Sequence, residues 1–431
     1  MKRDYSHWGG TFNPLIPLAF RPGAYGDEQS HYFPYAGLLI YGPLKPIDRI
    51  RLIHVITRDI ESYLDESASF HELLASELER RFKRILRVPK VEIERIVFPH
   101  YDEKHFKELT NTIKDDDKTI VLVSLPRKFM GYYRAKEYYY LIKAWCLPEG
   151  VIVQAYSDNT INALTSKAAK GREIIVRNLA LNIFAKAGGI PWGLREDETV
   201  PYDIILGLSW SFYRGTGRTG PITKVFSQVH TFSERGTWQR FYGKIAEFEH
   251  LENLITSSLR EVLLELKNTS PKDHYRVLVL SAKKLSSSEI KSLRKTCDSL
   301  KKEGIVEANI EIVISQVTAL QGIRMYSRYP PGIPHRGVYF YLNTSTIIYL
   351  PVGIIGDEKL GFARESKIMG TPIPLKIELL YPRGKEPLKD MKLVREICNV
   401  CHKFAIMNLS LIHISEPTRP LYISYAVFCL K

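Results

Sequence analysis

The sequence predicts a mixed α/β chain of two domains, the first built on a parallel sheet with helices on both faces. Three observations carry that expectation. Between about residues 45 and 190, apolar β-type runs alternate with amphipathic helical runs. Beyond about residue 193, strand patterns instead follow one another directly. The length of 431 residues exceeds what one ordinary core holds, and a 45% hydrophobic content supplies apolar surface for two.

In order along the chain, residues 1–45 are rich in Pro, Gly and Tyr and read as an extended segment lying across another domain. Strands are then expected at "IRLIHVIT", "VEIERIVF", "KTIVLVSLP" and "VIVQAYS". Helices are expected between and after them at "SFHELLASELERRFKRIL", "KHFKELTNTI", "YYRAKEYYYLIKAW" and "EIIVRNLALNIFAKAG". Such alternation closes into a parallel sheet, so 46–193 reads as a Rossmann-like domain. After "GGIPWGL" come three consecutive strand patterns, "YDIILGLSWSFYR", "ITKVFSQVHTF" and "TWQRFYGKIA", and a helix over about 248–268. "YRVLVLSA", another helix and "NIEIVISQV" complete the series. Three antiparallel strands leading into α/β units is the order of ribonuclease-H-like domains, which assigns 194–408 to a domain of that type.

Sixty-one Lys plus Arg against 47 Asp plus Glu leave a formal charge of +14, which favours a polyanionic partner, nucleic acid before an acidic membrane surface. Five cysteines, irregularly placed, do not form a disulfide framework, and a reducing cytoplasm is the expected setting. The opening residues carry no apolar run of signal-peptide type. The most apolar long stretch, Gly337 to Ile355, is broken by Asn343, Thr344, Ser345, Thr346 and Pro351; it reads as two strands and not as a membrane span.

Residues four apart on a helix stand one above the other, so Tyr139 and Lys143 share a face. In the next long helix Asn178, Asn182 and Lys186 repeat that spacing. Gln154 lies late in its strand, near the carboxyl end of the sheet where ligands of such folds bind. Two ammonium groups with amides suit a terminal phosphate, and a Tyr ring suits stacking beneath a base. The plainer reading is that Lys143 and Lys186 end their helices, where cations face the macrodipole favourably.

"YYLIK", then Gln154, then "NIFAKAGGIPW" resemble the phosphate-binding motif Tyr-x-x-x-Lys, Gln, Lys in the MID domain of Argonaute proteins, especially short archaeal Piwi-like members lacking N and PAZ domains. The resemblance runs on through "DIILGLSWS" and "REICNVCHKFAIMN", covering about residues 45–408. It implies a MID domain over 46–193 and a PIWI domain over 194–408. Tyr139 would then stack on the first nucleotide of a guide strand, while Lys143, Gln154 and Lys186 would hold its 5'-phosphate. Asn182 stands where archaeal relatives carry a Gln that ligates a divalent cation, Mg or Mn, bridging the first and third phosphates; the shorter Asn weakens that expectation. Asn178 would make a neighbouring backbone contact.

A catalytic PIWI domain cuts with two metal ions held by clustered carboxylates. Where the first Asp is expected this chain has Ser209, and where the second is expected it has Ala282 and Lys283. Asp203 lies six residues earlier, too far along the strand to substitute. The resemblance therefore implies an inactive Argonaute that binds a 5'-phosphorylated guide, RNA by expectation, and pairs it with target DNA in prokaryotic defence, with a separate effector protein doing the killing. The competing readings are an active guide-directed nuclease and a small-ligand sensor built on the parallel sheet.

Other motifs carry less. "YRGTGRTGP" at 213–221 has dinucleotide-fold glycine spacing, but Pro221 and a strand follow where a helix is required, so a hairpin loop offering Arg214 and Arg218 to phosphates is the better reading. "CNVCH" at 398–402 matches the c-type haem attachment pattern yet sits in an amphipathic helix, which favours buried cysteines. "DDDK" at 115–118 reads as a solvated loop. From Leu409, "LSLIHISEPTR" resembles a translated sequencing-library adapter, so 409–431 is expected to be a non-native tail.

Overall fold

The computed structural model describes residues 8–23, 26–65, 70–113, 116, 118–146, 149–165, 169–214, 222–247, 251–269, 271–303, 309–328, 332–354, 373–384 and 386–407. Among the described residues two compact units emerge, one within 18–193 and the other combining residues before 18 with those of 194–407. The tail at 409–431 and most of the 213–221 loop lie outside the described residues. The opening segment contains strands β1 (Gly9–Thr11), β2 (Leu18–Ala19) and β3 (Ser30–His31) and helix α1 (Pro34–Tyr41). It is therefore not simply extended, and it is divided between the two units. β2 and β3 pair as a hairpin, and Gly37 of α1 lies so close to the Phe20 ring that any Cβ there would strike it.

The unit within 18–193 continues with β4 (Arg49–Thr57), α2 (Arg58–Asp65), α3 (Phe70–Arg84), β5 (Lys90–Phe98), α4 (Glu103–Ile113) and β6 (Thr119–Ser124). Then come α5 (Arg127–Met130), α6 (Tyr132–Cys146), β7 (Ile152–Tyr156), α7 (Asp158–Thr165) and α8 (Ala169–Lys186), with β8 (Gly193–Leu194) at the boundary. Four strands pair in parallel in the order β5-β4-β6-β7. Every residue of the inner strand β6 is buried, which explains its continuous apolar run. Phe70, Leu74, Leu78 and Phe82 form the buried face of α3 at four-residue spacing. Helices α3, α7 and α8 pack together, and α4 packs against α6, two helix groups as a doubly covered sheet requires.

The other unit contains β9 (Ile204–Arg214), β10 (Ile222–Ser233), β11 (Trp238–Glu247), α9 (Leu251–Thr269), β12 (His274–Ser281) and α10 (Ser287–Lys302). β13 (Asn309–Ala319), β14 (Val338–Asn343), β15 (Thr346–Tyr349), β16 (Leu375–Tyr381) and α11 (Pro387–Ile406) complete it. Its nine-stranded sheet runs β1-β14-β15-β16-β13-β12-β9-β10-β11, with β12 parallel to both β9 and β13 and the remaining pairs antiparallel. Leu206, Leu208, Val277, Val279 and Ile314 of the sheet meet Leu259 and Leu263 of α9 and Leu293 of α10 in one core. Helix α10 starts cleanly because Ser286 and Glu289 form a reciprocal capping box. Cys398 and Cys401 lie inside α11 with their thiols pushed up by burial, so the "CNVCH" residues form core.

Candidate nucleic-acid interface

Four of the six residues singled out in the sequence meet at one place in the 18–193 unit. One helical turn separates Tyr139 from Lys143 on α6, and the Lys143 Nζ lies 4.6 Å from the centroid of the Tyr139 ring. Gln154, the third residue of β7, has no exposed surface; its Nε2 donates to the Ala155 carbonyl at 2.7 Å. Lys186 closes α8 and donates from Nζ to Gln154 Oε1 and to the Val153 carbonyl, both at 2.8 Å. Asn178 and Asn182 stand two turns and one turn before Lys186 on the same helix, both buried. The Tyr139 ring is itself buried, and its hydroxyl has no hydrogen-bond partner.

The electrostatics of this cluster are unusual. Burial drops the Lys143 ammonium from the ordinary 10.5 to about 8. Burial, and then repulsion from Lys143, hold Lys186 well below the usual lysine range. Each lysine keeps part of its surface open to solvent within surroundings dense enough to penalise the charge. No carboxylate among the described residues pairs with either. Elsewhere in the same unit Arg81 is 2% exposed, but it sits between Glu77 and Glu173, the latter at 2.8 Å. A buried charge is ordinarily paired in this way. The lysine pair differs: two enclosed cations stand beside amide groups with no carboxylate partner among the described residues.

A divalent cation held by the protein does not fit this donor set. Asn182 offers one neutral oxygen, and the described residues contain no grouping of three or more His, Cys, Asp or Glu suited to a metal.

Some polar groups near the sheet carried no sequence signal. His54 of β4 lies in register with Leu122 of β6, itself in register with Gln154. Its Nε2 is 2.8 Å from the Tyr156 hydroxyl and its Nδ1 is 2.9 Å from His71 Nδ1, while burial lowers it to about 3 and keeps it neutral. Lys118 donates from Nζ to the Ala187 carbonyl at 2.9 Å and so ties down the end of α8 beside Lys186. Asp116, from the acidic run, pairs with Arg49 and accepts from Thr119.

In the other unit, Leu208 of β9 is in register with Ser281 of the parallel strand β12. Ser209 is the next residue within β9, and Ala282 is the first residue beyond the end of β12. Asp203 stands before β9 begins, where it accepts from the Arg276 backbone N–H at 2.7 Å and pairs with Lys272. It is committed to structure at the far end of the strand.

Comparison with known proteins places this geometry. The model of the Piwi domain matches residues 129–351, slightly more than half of the chain, and includes all six candidate residues. The chain belongs to the Piwi-domain family. A Piwi protein of Archaeoglobus fulgidus is 24% identical over 290 residues, which are 64% of this chain and 60% of that protein. Among solved structures, Clostridium butyricum Argonaute bound to a guide DNA and a target DNA matches with a TM-score of 0.59 at 17% identity, over 93% of this chain and 49% of that one. Argonaute of Aquifex aeolicus matches with a TM-score of 0.56 at 16% identity, over 97% of this chain and 52% of its own. Argonaute of Marinitoga piezophila in complex with a 5' OH guide RNA matches with a TM-score of 0.55 at 14% identity, over 97% and 57%. These likenesses show a shared Argonaute-type fold. The chain spans about 60% of its curated Piwi relative and about half of each solved Argonaute.

Proposed function

We propose that this Piwi-family chain binds a guide strand by its 5'-phosphate, between Lys143 and Lys186, and pairs the guide with a complementary target without cutting it. The observation that carries the reading is the pair of enclosed ammonium groups with no carboxylate partner. A terminal phosphate supplies up to two negative charges and several acceptor oxygens, which is what two ammonium groups lack. Lys186 is already oriented by Gln154, so the pocket is formed before the strand arrives. This assigns the phosphate charge to the lysines and not to a bound Mg or Mn ion. Tyr139, against Lys143, would form the floor for the first nucleotide, with Asn178 and Asn182 lining the α8 side.

Ser209 in β9 and Ala282 just beyond β12 support the non-cutting reading, since neither residue type supplies a carboxylate for a catalytic metal. With recognition separated from cutting, a role in defence against invading DNA requires a separate effector protein, which we include in the proposal. No helix among the described residues is long and apolar enough to cross a membrane.

The test is the affinity of short RNA and DNA strands, each with a 5'-phosphate or a 5'-hydroxyl, for the intact chain and for Lys143→Ala/Lys186→Ala. The parent is expected to prefer the phosphorylated end by about tenfold or more. The double variant should lose that preference while keeping general, salt-sensitive affinity. The Marinitoga piezophila complex with a 5' OH guide makes the comparison discriminating, because the shared fold alone does not dictate a phosphate preference. Equal binding of both ends by both proteins rejects the pocket.

A further inference from the structure

We propose that Arg336 forms a second anion site, in the unit built on the nine-stranded sheet, which takes a backbone phosphate of the bound strand. The proposal shares with the preceding reading only the premise that the ligand is a nucleic-acid strand; the residues and the unit are different.

The position of Arg336 is closely defined. Its backbone N–H donates to the Ile354 carbonyl at 3.1 Å, and that of the next residue, Gly337, to the Leu350 carbonyl at 3.0 Å. Gly337 has a φ of +89°, and a Cβ there would lie 2.9 Å from the Phe12 carbonyl and 3.0 Å from the His402 ring, so only glycine lets the chain pass so near α11. The Arg336 guanidinium is thereby enclosed beside Tyr349 and His402, and burial lowers it from its ordinary value. Neither neighbour can neutralise it. His402 is held neutral at about 4 by burial, and both ring nitrogens are engaged, with the Tyr349 hydroxyl at 2.8 Å and the Asn13 carbonyl at 2.7 Å. The Arg336 Nε is buried without a partner.

Several other cations of this unit, by contrast, have carboxylate partners. Arg276 is paired with Glu311 and Glu396, Lys403 with Glu198, Lys272 with Asp203 and Arg383 with Glu378. Among the described residues no carboxylate pairs with Arg336. A planar guanidinium left without a carboxylate is suited to a phosphate, whose oxygens match its donor fork. On a chain carrying +14, a phosphodiester is the polyanion unit most readily supplied by a bound strand.

The experiment measures affinity for a 5'-hydroxyl single strand over a range of salt, so that the 5'-phosphate pocket does not contribute, using the full chain and the variants Arg336→Gln and Arg336→Lys. Arg336→Gln is expected to weaken binding by about tenfold and to flatten the plot of log affinity against log salt by about 0.7, one phosphate contact on a single strand. Arg336→Lys keeps the charge and should keep the slope, with affinity between the two. Inorganic phosphate is run as a competitor: displacement at millimolar levels from the parent but not from Arg336→Gln supports an anion site. An unchanged slope in Arg336→Gln overturns the proposal, as does a fall in thermal midpoint with no change in binding, which marks a structural arginine. Lys143→Ala/Lys186→Ala serves as the separate control: it removes phosphate-end preference if the pocket reading holds, whatever Arg336 does.

Discussion

Lys143→Met should make the unliganded protein more stable while abolishing its preference for a phosphorylated strand end. Burial lowers the Lys143 ammonium from 10.5 to about 8. At about 1.4 kcal/mol per tenfold change, that difference corresponds to roughly 3.5 kcal/mol of destabilisation, and partial solvent exposure trims it to about 2 kcal/mol. Methionine fills much the same volume, and the loss of the contact with the Tyr139 ring takes back about 0.5–1 kcal/mol. A net gain of about 1–1.5 kcal/mol raises the melting midpoint of a unit this size by roughly 3–5 °C. The pH dependence has a definite sign. Below about 8 the lysine is protonated in both folded and unfolded chains and the penalty is complete. Between about 8 and 10.5 the unfolded chain holds a proton that the folded one has released, so parent stability rises with pH and the advantage of the variant shrinks. Thermal unfolding of both proteins at about pH 7 and about pH 9.5, with end-specific binding measured alongside, checks each step. A variant less stable than its parent at neutral pH refutes the electrostatic argument. A stable variant that still discriminates refutes the pocket. Lys186→Met is the poorer choice, because it leaves Gln154 Oε1 and the Val153 carbonyl without their donor, at about 1–3 kcal/mol each.

The preference for a 5'-phosphate over a 5'-hydroxyl should weaken as pH rises through about 8, because the anion is held by the protonated Lys143; binding of both strands at stepped pH and constant ionic strength reads this directly, and a flat ratio up to about pH 10 counts against it. Guide-loaded protein given Mg or Mn and a labelled complementary target should yield no product, since Ser209 and Ala282 offer no carboxylate; a metal-dependent product would mean that other carboxylates serve.

Much of the fold could be read from periodicity, because long elements with one buried face leave a repeated mark. The buried run of β6 and the four-residue apolar spacing of α3 are examples. The short helices α1, α2, α5 and α7, of four to eight residues, leave too few turns for a period to show. Helix α2 also follows β4 with no Gly or Pro to mark the change. In the site, four-residue spacing exposed Tyr139 with Lys143 and Asn182 with Lys186, since each pair lies within one helix. Spacing could not bring Lys186 to Gln154, 32 residues away on another element; family resemblance did that. Arg336 and His54 left no mark at all, because what distinguishes each is its tertiary surroundings: a guanidinium lacking a carboxylate in one case, and a histidine held neutral among rings in the other.

Pairing separates the cations that folding itself neutralises from those we propose to meet a ligand. Arg81 and Arg276 lose hydration on folding and recover interaction energy from two carboxylates each, so removing either guanidinium would strand charges of opposite sign. Lys143, Lys186 and Arg336 lose hydration and recover no ion pair among the described residues. Folding alone gives no reason to place Lys143 or Arg336 there, since an apolar side chain of equal size would be more stable at either position, while Lys186 at least bonds Gln154 and the Val153 carbonyl. Their presence is accounted for if the missing charge arrives from outside, and a polyanionic strand can satisfy all three with one kind of group. The argument makes a joint demand: neutralising each of these side chains must reduce binding, and where the side chain has no bond to surrender, as at Lys143 and Arg336, it must not reduce the stability of the free protein.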